Sequence, residues 1–118
     1  MKNANCSNLV KLSIPAIRYA LARILIDKYT MDQSQIAATL GITQAAVNKY
    51  LLGKCSINIS KLGAAILSNE IIDNATTNAA LSGETEKLNK LIDRMASGKS
   101  MVTLIKKILG VEVPAMTG

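Results

Sequence analysis

Gln44, Ala45, Asn48 and Lys49 step along one face of a helix-length stretch, and their side chains suit the edges of bases. The amides of Gln and Asn each offer a donor beside an acceptor, the pairing that adenine's open edge takes. A lysine donates to guanine or to phosphate, and Ala45 is short enough to meet a thymine methyl. Val47 and Leu51, one turn apart, take the opposite face, so the polar stripe looks outward. No buried role asks for Gln, Asn and Lys together, although an ordinary solvated face carries them equally well. Lys54, just beyond, is placed for a phosphate contact. Arg18 and Arg23 lie off the apolar stripe of an upstream helix, and one of them is expected to reach the same backbone.

Two short helices and a tight turn must position these groups. Asp32 can accept a bond at a helix start while Gln35, three residues on, reaches back, the D-x-x-Q form of a capping box. The helix runs to about Leu40, with Ile36, Ala37 and Leu40 on one face. Ala37 is small where another helix must come close. Gly41 supplies the left-handed backbone that ends a helix without steric cost. Ile42 is an apolar plug and Thr43 caps the next helix, about Gln44 to Leu52, which Gly53 stops.

The run Gln33-x-x-Ile36-Ala37-x-x-Leu40-Gly41-Ile42-Thr43-Gln44-x-x-Val47-x-x-Tyr50-Leu51-x-Gly53-Lys54 resembles the helix-turn-helix of λ-repressor-like, XRE-type transcriptional regulators. Pro15-Ala16-Ile17-Arg18-x-x-Leu21-Ala22 resembles the first helix of small archaeal members. The likeness covers roughly residues 13 to 55. It implies that Gln33 lies near a phosphate or the first base, and that Gln44 and Ala45 face base edges with Asn48 and Lys49 one turn on. Ala45 and Ala46 stand where many relatives carry a polar residue, which implies fewer direct base contacts.

Composition narrows the function further. The chain has 118 residues, three Tyr, no Phe, no Trp and no His. One domain with a modest, aliphatic core is expected. Without His the usual general base and the commonest metal ligand are missing. No phosphate-binding Gly-rich loop or G-x-S-x-G is present, so an enzyme is not expected, and neither is a cofactor. The net charge of +6 is uneven. Residues 1–60 hold seven basic and two acidic side chains, a balance of +5; residues 61–118 hold seven and six, a balance of +1. The excess sits with the motif, as phosphate binding requires, or serves solubility alone. Cys6 and Cys55 are far apart and read as free thiols of a reducing cytoplasm, with a redox role for Cys55 conceivable. No apolar run is long enough for a bilayer, and residues 1–13 lack the core of a signal peptide.

The remaining pattern is helical. Met1 to Leu12 reads as polar and frayed, with Leu9, Val10 and Leu12 docking on the core and Lys2 and Lys11 solvated or touching phosphate. Ser13 is expected to cap a helix to about Tyr29 with Pro15 in its first turn. Ile14, Ile17, Leu21, Ile24, Leu25 and Lys28 form its stripe. Ile57 to Ser60 alternates too briefly for a strand, and Ser60 or Asn58 is expected to cap the next helix. Residues 60 to about 81 read as a long helix, apolar on more than one face, but Asn74, Thr76, Thr77 and Asn78 lower its propensity and would admit a break near there, so one helix or two stays open. A helix from Glu84 to Ala96 comes after it. Ser100 is then expected to cap a last one to about Leu109, with an extended Val111 to Pro114 and a mobile end beyond it.

The whole reads as an all-α chain: a helix-turn-helix DNA-binding module over 1–59 and a helical extension over 60–118. One recognition helix discriminates poorly alone, since each good contact is worth about 1–3 kcal/mol. A homodimer through residues 60–110 is therefore expected, acting on double-stranded DNA as a cytoplasmic regulator. The alternative is an architectural or protein-interaction module on the same scaffold. Operator, direction of regulation and any small effector stay open.

Overall fold

The computed structural model describes residues 4–110, and the side chains of 11–108 and of 110 within them. The expectations for Lys2, for the side chains of Cys6, Leu9, Val10 and Leu109, and for Val111 to Gly118 lie outside what the structure describes. Within them the chain is all-helical, with seven helices and no strand. These are α1 (Ala4–Asp27), α2 (Gln33–Leu40), α3 (Gln44–Leu51), α4 (Ile57–Ser68), α5 (Asn74–Leu81), α6 (Thr85–Ala96) and α7 (Lys99–Leu109).

The central helix is α1. Its 24 residues span about 36 Å, most of the 42 Å length of the molecule. Ser13, Ala16, Ile17, Ala20, Leu21, Ala22 and Leu25 are all inaccessible to solvent. Those positions cover most of the circumference of the helix, and α2, α3, α4, α6 and α7 all pack on it. Three alanines among them let the neighbours come close. Ser13 is therefore not the helix start that its residue type suggests: it lies in the interior, ten residues into α1, and Pro15 lies inside the helix rather than in its first turn. Leu12, Ala16 and Ala20, four apart, carry the buried stripe upstream, and a stripe of alanines has little hydrophobic contrast. At the other end α1 stops at Asp27, so Lys28, expected on the apolar stripe, is exposed in the turn.

The expected long helix over 60–81 is two helices. Glu70 adopts φ 52° and breaks the run, while the Ile71 N–H folds back to the Ile66 carbonyl at 3.1 Å. Asp73 then caps α5, its Oδ1 accepting from the Thr76 N–H at 2.9 Å and the Thr76 hydroxyl at 2.6 Å. The break thus falls just before Asn74, next to the Asn- and Thr-rich stretch expected to weaken the helix. Residues 57–60 form the first turn of α4, capped by Ser56, whose hydroxyl accepts from the Ile59 N–H at 3.3 Å. Neither Ser60 nor Asn58 caps it. Gly98, not Ser100, occupies the N-cap of α7, and Ser100 lies in its first turn. The boundary expected at residue 59 falls inside α4.

Buried side chains from α1 to α7 form one continuous aliphatic core. Leu62, Ala65, Ile66, Ala79, Ala80, Leu88, Ile92, Met101, Leu104 and Ile105 all belong to it. The broad apolar surface of residues 60–110 is thus largely spent inside one chain. No described helix is long and apolar enough to cross a membrane.

Candidate nucleic-acid interface

The α2–turn–α3 unit forms as its residue types dictate. The Gln35 N–H donates to Asp32 Oδ1 at 2.8 Å and the Asp32 N–H to Gln35 Oε1 at 3.2 Å, closing the capping box. Gly41 takes φ 69° and ψ 34°, and the Ile42 N–H reaches back to the Ala37 carbonyl at 3.1 Å. Thr43 is extended at φ −79° and ψ 155°, and its hydroxyl accepts from the Ala46 N–H at 3.0 Å. That oxygen satisfies one of the free donors at the start of α3, so Thr43 sets the helix's entry angle.

Val47 is wholly buried and anchors α3 on the core, against which Ile42 and Leu51 also pack. Gln44, Ala45, Asn48 and Lys49 are all exposed, with Gln44 in the first turn of α3 and Ala45, Asn48 and Lys49 turned away from Val47. Among the described residues the Gln44, Asn48 and Lys49 side chains make no hydrogen bond or ion pair, so their donors and acceptors are free for a ligand. Lys54 comes one residue after Gly53, exposed, its N–H bonded to the Lys49 carbonyl at 2.9 Å. Gln33 is half-buried at the start of α2. The structure thus brings Gln44, Ala45, Asn48 and Lys49 together on the exposed surface of α3, with Thr43 at its head and Lys54 at its foot.

Arg18 joins from α1. It is half-buried, its Nε is buried without a hydrogen-bond partner, and its guanidinium lies beside the Tyr50 phenol on α3. Burial pushes the Tyr50 phenol above its ordinary range, and the adjoining guanidinium pulls the other way. Arg23 is committed elsewhere, to Asp27 at 3.2 Å.

Three supports of this face escape a reading by motif. Tyr19 of α1 packs against Tyr50, ring centroids 6.4 Å apart and tilted by 54°, so α3 leans on an aromatic prop. Thr85, at the start of α6, donates its hydroxyl to the Ala38 carbonyl at 3.2 Å, beside the turn; a Cβ on Gly41 would meet the Thr85 methyl at 3.3 Å. Thr39, buried, donates to the Ala80 carbonyl at 2.9 Å and ties α2 to α5. A polar residue beside Leu40 on the buried face of α2 is the one local signal for the last of these. The other partners are 31 and 47 residues away in sequence, beyond any local pattern. Cys55 is half-buried with its sulfur 3.2 Å from the Ser60 hydroxyl.

No family model, curated protein or solved structure matches the chain.

Proposed function

We propose that the chain is a sequence-specific binder of double-stranded DNA that regulates transcription, with α2 and α3 as a helix-turn-helix of the λ-repressor-like kind. One observation carries this reading: the outer face of α3 holds an amide, a second amide and an ammonium with no internal partner, on a helix pinned at its start, its inner face and its foot. Preorganised donors and acceptors on a rigid helix are what base-edge recognition requires. Gln44 and Asn48 take the roles of base readers, Ala45 that of a methyl contact, and Lys49 that of a base or phosphate donor. Lys54, Arg18 and Gln33 are assigned to the backbone, contacts that set register without reading sequence.

With so few base readers per chain, two copies on a two-fold site are part of the proposal. The apolar width of residues 60–110 no longer argues for that pairing, because the core accounts for it. The thinness of the contact set does.

Selection from a random duplex pool, followed by anisotropy with the recovered site, tests the reading. Enrichment of a two-fold symmetric sequence is expected. Gln44→Ala is expected to weaken binding to it by about 5- to 150-fold, the range of one good base contact. Lys49→Ala is expected to lower the slope of log affinity against log salt by about 1 if it meets a phosphate. Salt-sensitive binding with no enriched sequence and no effect of Gln44→Ala would leave only an architectural role, to which the two alanines opening α3 are suited. No binding at low salt rules out both.

A further inference from the structure

Basic side chains also cluster away from the α2–α3 face, in a half of the chain whose overall balance is only +1. Residues 94–111 contain Arg94, Lys99, Lys106 and Lys107 and no acidic residue. Lys99, Ser100, Thr103, Lys106 and Lys107 are all exposed on the outer side of α7, whose inner side is Met101, Leu104 and Ile105. None of these lysines is in an ion pair among the described residues. Lys99 stands in the first turn of its helix, where the backbone dipole disfavours a cation, so its placement does not serve the helix itself.

The topology sets this face apart from α3. Ser60 of α4 touches Cys55, just past the recognition helix, at 3.2 Å. Asn69, at the end of the same helix, lines a shallow hollow of about 340 Å³ with Lys99, Ser100, Thr103 and Lys107. Ser60 and Asn69 are nine residues apart, about two and a half turns, so they lie on opposite sides of the α4 axis. The α3 end and the α7 face therefore flank α4 from opposite sides.

Lys99 to Lys106 spans about 10 Å along the helix, over which a duplex strand presents about three phosphates. The face has no aromatic ring on which unpaired bases could stack, which favours duplex over single strand. We propose that the outer face of α7 is a second phosphate-binding surface, on which Lys99, Lys106 and Lys107 hold the backbone of a separate duplex, so that one chain joins two DNA segments. The inference rests on the α3 reading for the first segment and adds a second, sequence-independent one.

Bridging measures it directly. A biotinylated duplex carrying the selected site is fixed to beads, protein is added, and capture of a second, fluorescent duplex of unrelated sequence is read. Lys99→Gln, Lys106→Gln, Lys107→Gln together are expected to cut capture at least tenfold while leaving anisotropy binding of the selected duplex within about twofold. Far-UV circular dichroism checks that these exposed changes leave the fold intact. Three phosphate contacts also carry a loss of about 40-fold in second-duplex affinity between 50 and 200 mM salt. Capture unchanged in the triple variant, or absent in the wild type, overturns the proposal. Capture that no duplex supports but vesicles with anionic headgroups do overturns it too. If the triple variant abolishes all duplex binding while Gln44→Ala, Lys49→Ala together change nothing, the α3 reading falls and bridging falls with it, leaving α7 as a single DNA-binding face.

Discussion

Replacing Gly63 by alanine is expected to destabilise the protein by about 2 kcal/mol, against the ordinary preference of a helix for alanine. Gly63 is buried within α4, and a Cβ there would overlap the Cδ2 edge of the Tyr19 ring. Helix propensity alone favours the change by about 1 kcal/mol. Overpacking an interior site costs about 1–3 kcal/mol, because the ring must leave its rotamer or the helices must part. Moving Tyr19 also disturbs its contact with Tyr50, a pair worth about 0.5–1.5 kcal/mol. Central values leave a net cost of about 2 kcal/mol, a fall of about 1 M in the urea midpoint at a slope of about 2 kcal/mol/M. The sign should invert once the ring is removed: in a Tyr19→Ala background, Gly63→Ala is expected to be neutral or stabilising by up to about 1 kcal/mol. Urea unfolding of the four proteins of this cycle gives the coupling. A Gly63→Ala variant as stable as wild type with Tyr19 present would refute the close packing of α1 on α4.

Asp73 caps α5, and its bonds from Thr76 hold its carboxyl below the usual range. Because the folded value is depressed, its contribution is full at neutral pH and fades as pH falls through the acid range below about 4. Asp73→Ala is expected to cost about 1 kcal/mol at pH 7 and progressively less as pH falls below about 4, and Asp73→Asn to flatten that dependence, both read by thermal unfolding against pH. Thr39→Val keeps the shape of the side chain but removes the bond to the Ala80 carbonyl, at a cost of about 1 kcal/mol in urea unfolding. A change of under 0.3 kcal/mol would mean that this link between α2 and α5 contributes nothing net.

The α2–turn–α3 unit is legible in the residues because its determinants are local. Asp32 with Gln35, Gly41, and Thr43 each act within a few residues, so a pattern of caps and one left-handed glycine suffices. The exposed stripe of Gln44, Ala45, Asn48 and Lys49 comes from helical period once Val47 is assigned inward. The same rules misplace the starts of α1, α4 and α7, because capping residue types compete: Ser13 has the residue type of a cap but is buried mid-helix, and Ser100 loses the N-cap of α7 to Gly98. They mark a break only as near Asn74 to Asn78 and do not single out Glu70, since a non-glycine residue in the left-handed region carries no signal in its type.

The residues alone are enough for an all-helical chain, an aliphatic core, and the order of groups along α3, because helical period and capping are near-neighbour effects. What those apolar stripes face is set in three dimensions. Packing spends the broad apolar width of residues 60–110 inside one chain, sets Tyr19 against Tyr50 as a prop for α3, and leaves the lysines of α7 exposed. Those outcomes depend on which helix packs on which, and the side chains that settle it, such as Gly63 beneath Tyr19, are small residues whose meaning lies in a partner 44 positions away.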